Sequence, residues 1–110
     1  MKYFITEQER ENTCYHEWQK GHFDGVSFWK NDSLLISEDM HYKLGLEELF
    51  KIIIPEYDPL GETEVSEKQW ILLMQKASEL GGEVLECLQE ADKWVNNTLK
   101  EYYMFTMIGM

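Results

Sequence analysis

The residues of this chain whose types and spacing come nearest to chemistry are the acids of Ile52–Trp70, IIIPEYDPLGETEVSEKQW. Glu56, Asp58, Glu62, Glu64 and Glu67 follow one another with no Lys or Arg before Lys68. Such a run of carboxylates has two uses, holding a hard cation or meeting a basic surface. For calcium, counting Glu56 as position one puts Asp58 at three, Gly61 at six, Glu62 at seven, Glu64 at nine and Glu67 at twelve, where an EF-hand loop wants its ligands, its turn glycine and its final Glu. Against it, Glu replaces the first Asp, Leu60 takes a ligand position, Thr63 stands where an apolar residue pairs the loops, and Pro59 stiffens a loop that must wrap an ion. A docking surface for a positively charged protein is the preferred functional reading, built from Glu56, Asp58, Glu62, Glu64 and Glu67 with Tyr57 as an aromatic neighbour. A solvated acidic turn accounts for the same residues.

Cys14, His16 and His22 form C-x-H-x5-H, which matches no usual zinc spacing, and a fourth ligand would have to be His41, Cys87 or a distant acid. Scattered structural residues explain them more simply. No local signature marks Cys14 or Cys87 as a nucleophile, and the chain has no Gly-rich phosphate loop, no G-x-S-x-G and no H-E-x-x-H. The expectation is therefore a protein that is not an enzyme and has no cofactor or metal. A small metal-binding protein or enzyme is kept as an alternative.

Charge narrows the partners. The formal net charge is -11, and residues 56–110, with eleven acids and four bases, are more acidic than residues 1–55, with ten acids and six bases. Nucleic acid and anionic membranes are disfavoured, because both demand Lys and Arg against phosphates. Fast, steered encounter with a basic protein is favoured, and acidity serving solubility alone is the plain alternative. Two distant cysteines make no disulfide framework, which suits a reducing cytosol. Met1–Thr6 lacks a signal-peptide core, and the longest apolar run is the five residues Trp70–Met74. A cytoplasmic location is expected.

The 110 residues, 44% of them hydrophobic, suffice for a single domain spanning 1–110. Lys2–Thr6 reads as a strand. Thr6–Gly21, with Tyr15 and Trp18 three apart, reads as one or two turns of helix or a structured loop. Val26–Lys30 and Ser33–Ser37, separated by Asn31-Asp32, predict a β-hairpin, with a single strand and a loop as its rival. Ser37 caps a helix whose buried face is Tyr42, Leu46, Leu49, Phe50 and Ile53, weakened by Gly45 and stopped by Pro55. Ser66 and Gln69 form a capping box opening a second helix with Trp70, Leu73, Met74, Ala77 and Leu80 inward. Gly81-Gly82 ends it, and a third helix buries Val84, Leu88, Ala91, Val95 and Leu99. Tyr102–Ile108 predicts a closing strand in the same sheet as Lys2–Thr6. Trp70 and Trp94 belong to helix faces, whereas Trp18 and Trp29 suit either the core or an exposed anchor. The class is α+β: a small antiparallel sheet of N-terminal strand, central hairpin and C-terminal strand, covered by about three helices.

PEYDPLGETEVSEKQW, Trp94 followed by Thr98-Leu99, and the ending TMIGM resemble small acidic bacterial immunity proteins, encoded beside polymorphic or contact-dependent toxins. The resemblance covers roughly Ser37 to Met110 and supplies no functional residue. It implies an inhibitor that binds and neutralises a cognate toxin domain with a basic surface, such as a nuclease, inside the cell. A cytosolic acidic adaptor without a toxin partner is the alternative, and the state of association is monomer or homodimer.

Overall fold

The computed structural model describes residues 1–109. Local chemistry starts the helices where the sequence indicates. The Ser37 hydroxyl accepts the Met40 N–H at 3.1 Å to open α1, Glu38–Lys43. At Ser66 the box is complete: Gln69 N–H donates to the Ser66 hydroxyl at 3.2 Å, and Ser66 N–H donates to the Gln69 side chain at 2.9 Å. These contacts satisfy donors that the first helical turn leaves without partners, stabilising α3, Glu67–Leu80, by about 1 kcal/mol. Gly81 and Gly82 both take positive φ, 66° and 59°, and reverse the chain into α4, Gly82–Glu101.

The helix expected from Ser37 to Pro55 is instead two. Gly45, at φ 67°, interrupts it, so that α1 is followed by α2, Leu46–Ile53. Leu46, Leu49 and Phe50 keep the predicted inward face, but Tyr42, on the far side of the break, points to solvent. A left-handed glycine costs the helix little and redirects its axis.

The antiparallel sheet has five strands in the order β1-β3-β2-β5-β4: β1 Phe4–Ile5, β2 Tyr15–Lys20, β3 Leu34–Ser37, β4 Glu62–Ser66 and β5 Met104–Ile108. All pairings are antiparallel. The closing strand joins the same sheet as the N-terminal one, between β2 and β4. The predicted central hairpin is displaced. Ser33–Ser37 does supply β3, yet its partner is β2, from a segment expected to be helix or loop, while Val26–Lys30 is not a strand. The reason is local capture of backbone amides. Asp24 accepts the N–H groups of Val26 (2.9 Å) and Ser27 (2.7 Å), and Glu17 accepts those of Trp29 (2.8 Å) and Lys30 (2.9 Å). Trp29 sits at φ 59°, which no strand permits.

One sheet face carries Phe4, Trp18, Ile36, Val65, Phe105 and Met107 into the core with the helices. Trp18 is its hub, with Phe4, Phe50, Trp70 and Phe105 rings at 5.1, 6.2, 5.9 and 5.3 Å. Residues 21–33 cross the opposite face, where the buried Gln19 donates to the Ser27 carbonyl at 2.7 Å. No helix among the described residues is long and apolar enough to cross a membrane.

Candidate functional site

The acidic connection is only partly a loop. Tyr57 N–H donates to the Ile54 carbonyl at 2.9 Å and turns the chain as α2 ends. Asp58 then organises a tight reversal: its carboxylate accepts the Leu60 N–H at 2.9 Å, its carbonyl accepts the Gly61 N–H at 3.2 Å, and its own N–H donates to the Thr63 hydroxyl at 2.9 Å. A Cβ at Gly61 would press on the Asp58 carboxylate, so a larger residue here would have to displace the side chain that organises the reversal. From Glu62 the chain is extended as β4, so positions seven to eleven of the calcium register lie in a strand.

That strand is at the edge of the sheet, with β5 on one side only. Its side chains alternate: Thr63 and Val65 are buried, and Glu62 and Glu64 are exposed. Its backbone alternates too. Gly109 N–H donates to the Gly61 carbonyl at 2.7 Å, and Gly21 N–H to the Met104 carbonyl at 3.1 Å. These two bonds fix which residues of β5 face which neighbour. Thr63 and Val65 therefore bond to β5, whereas the N–H and C=O of Glu62 and Glu64 point away from the sheet. Among the described residues nothing bonds to them.

An open groove of about 690 Å³ runs along this edge, lined among others by Glu56, Glu62, Glu64, Lys68, Tyr103 and Met104. It brings together three of the six residues expected at a partner surface. Asp58 and Glu67 are exposed nearby but do not line it. Tyr57 is elsewhere: it is 6% exposed, packs edge-on against Phe50 at 5.3 Å, and its hydroxyl lies 3.1 Å from His41 Nε2. Burial raises its phenol well above the usual range. The apolar pull of Phe50 takes this ring into the core, so it is not a surface aromatic. The aromatic that flanks the groove is Tyr103, 92% exposed. The signals for this geometry were the alternation Glu62-Thr63-Glu64-Val65, which has the period of a half-buried strand, and the adjacent tyrosines Tyr102-Tyr103.

The other candidate residues are dispersed. Cys14 is exposed, and Cys87 is buried with its thiol pushed up to about 12 by desolvation. His16 is buried, stacked on His41 with ring centroids 3.8 Å apart and hydrogen-bonded to Glu38. His22 is exposed and pairs with Glu64 across the sheet. Burial, then the neighbouring His16, lowers His41 to about 3, so this ring is neutral at ordinary pH. Among the described residues no three His, Cys, Asp or Glu gather as a metal set.

The arrangement at β4 is suited to recognition: outward backbone donors and acceptors beside carboxylates, with Lys68 the only base lining the groove. Comparison of the chain with protein-family models, curated proteins and solved structures finds no match.

Proposed function

We propose that this chain is an immunity protein: a non-enzymatic, cytoplasmic inhibitor that binds a cognate toxin domain through the acidic surface around β4. The observation that carries the reading is how the acids are divided. Buried Glu17 and helix-borne Glu90 are consumed by backbone amides, while Glu56, Glu62 and Glu64 gather on one open groove, where Glu56 meets only the Gln69 side chain and Glu64 only the exposed His22. A toxin that acts on nucleic acid must be basic where it grips phosphate, and carboxylates placed in advance accelerate its capture. Tyr103 offers the rigid aromatic area that slows release. The resemblance of Ser37–Met110 to such inhibitors points the same way.

The test is genetic. The gene neighbouring this one is expressed with and without the chain, and growth is followed. Arrest by the neighbour alone and rescue by co-expression is the expected result. A neighbour that is harmless, or whose toxicity this chain does not relieve, rejects the proposal in favour of an acidic adaptor. Charge reversal at Glu56, Glu62 and Glu64 should abolish rescue if the groove is the contact surface.

A further inference from the structure

The two outward-facing residues of β4 present more than charge. Glu62 and Glu64 each direct an N–H and a C=O away from β5, and no described residue bonds to them. The opposite edge of the sheet is treated differently. There β1 has two residues, and the Glu90 carboxylate of α4 accepts the amides of Lys2 (2.8 Å), Tyr3 (3.0 Å) and Phe4 (2.7 Å). One edge is short and has a carboxylate of the protein itself on the amides at its start, and the other is longer and left able to pair.

The chemistry along the open edge selects what can pair with it. In an antiparallel addition, residues opposite Glu62 and Glu64 would exchange both backbone hydrogen bonds with them and place their side chains on the same face. A second copy of this chain would set carboxylate against carboxylate there, which is destabilising, whereas Lys or Arg at alternate positions would be matched. The groove beside the strand supplies the room, with Tyr103 at its flank. We infer that β4 is a strand-addition site whose occupant is an extended segment of a basic protein, carrying Lys or Arg at every second residue and pairing antiparallel as a sixth strand. This rests on the proposed function and specifies how the toxin would be held.

The experiment uses the whole chain, isotopically labelled, and a capped nonapeptide of alternating Lys and Thr. Amide exchange is followed by NMR as the peptide is added. At saturation the Glu62 and Glu64 amides should exchange at least tenfold more slowly. The same peptide N-methylated at each Lys keeps its charge but loses the donors that face β4, and should bind at least tenfold more weakly. Glu64→Pro removes the outward N–H while leaving the bonds to β5, and should abolish protection at Glu62 with little change in Tm. If that variant does not fold, the N-methylated peptide still decides. Equal binding of both peptides with unprotected amides would overturn strand addition and leave an electrostatic groove, so the functional proposal would stand. If neither peptide, at millimolar concentration, shifts any resonance of Glu56, Glu62 or Glu64, strand addition and the basic partner both fall.

Discussion

Both edges of this sheet are bordered by glutamates, and the glutamates do opposite things. At β1, Glu90 reaches across from α4 and takes the Phe4 N–H together with those of Lys2 and Tyr3, which lead into the strand. At β4, the Glu62 and Glu64 side chains leave their own backbone groups bare and point to solvent or to the exposed His22. The same residue type closes one edge and decorates the other. Acidity in this protein is thus two populations. One is internal and substitutes for secondary structure; the other is peripheral and exposed. Mutation should separate them, because removing an internal carboxylate strands buried donors, whereas removing a peripheral one strands nothing.

Glu17 is the most consequential member of the internal set. It is 1% exposed and accepts from Trp29 N–H, Lys30 N–H and the Ser33 hydroxyl, the last at 2.6 Å. Glu17→Ala should cost about 3 kcal/mol or more in urea unfolding, since three donors lose a charged acceptor together. It should also release residues 26–33 to rapid amide exchange. A loss under 1 kcal/mol would show that this loop is held by packing and that the carboxylate is incidental. Glu90→Ala should cost less, about 2 kcal/mol, because its partners are only partly buried. Its amides at Lys2, Tyr3 and Phe4 should gain exchange at least tenfold over wild type, and an unchanged rate there would remove the contrast between the edges.

How much of this was legible beforehand follows from the same division. Elements specified by local chemistry were readable: the Ser66–Gln69 box, the Gly81-Gly82 reversal, the β-favouring Met104–Ile108, and an inward stripe in which Trp70, Leu73 and Ala77 are buried and Met74 partly so, although Leu80, expected inward, is exposed beside the reversal. β2 was not, because Tyr15-His16-Glu17-Trp18-Gln19-Lys20 is polar at its most buried positions. His16, Glu17 and Gln19 are tolerated inside only through partners distant in sequence, Glu38, Trp29 and Ser27. Val26–Lys30 failed in the opposite sense. Its residues favour strands, yet two carboxylates claim its amides first. At the candidate site, the acids were identifiable by type and crowding. Their arrangement on an edge, the burial of Tyr57 and the presence of Tyr103 depend on how β4 and β5 pair, which local propensity does not encode.

Acid sharpens the comparison from another direction. His41 is buried against His16, Phe50 and Tyr57, and holds its proton only below about 3. The unfolded chain takes that proton near 6.5, so between these values the unfolded state binds more protons and stability falls as pH falls. Between pH 6 and 5 the loss from this ring should be about 1 kcal/mol. Urea melts at the two pH values, compared between wild type and His41→Phe, isolate it from the carboxylates. The variant should show the smaller decline, and identical declines would mean that the ring takes a proton in place. Asp24 titrates lower, at about 2, where its hydrogen bonds to Ser27 and Val26 hold it ionised, and so leaves this window clear.

The smallest effect is expected where the functional reading is concentrated. Glu62→Gln and Glu64→Gln keep side-chain size and β-strand geometry; the Glu62 carboxylate holds no described side chain and Glu64 holds only the exposed His22. Each should change stability by no more than about 0.5 kcal/mol, since neither carboxylate is buried. Removing negative charge from so acidic a chain also relieves self-repulsion, which offsets part of any loss. Binding of the alternating Lys-Thr peptide should weaken in both variants at low ionic strength and converge on wild type as salt is raised, because screening erases what the mutation removed. Protection of the Glu62 and Glu64 amides at saturating peptide should survive, since the backbone groups are untouched. A variant that lost stability as Glu90→Ala does would transfer β4 to the internal population of acids, and an edge that needs its carboxylates to stay folded is not free to give them to a partner.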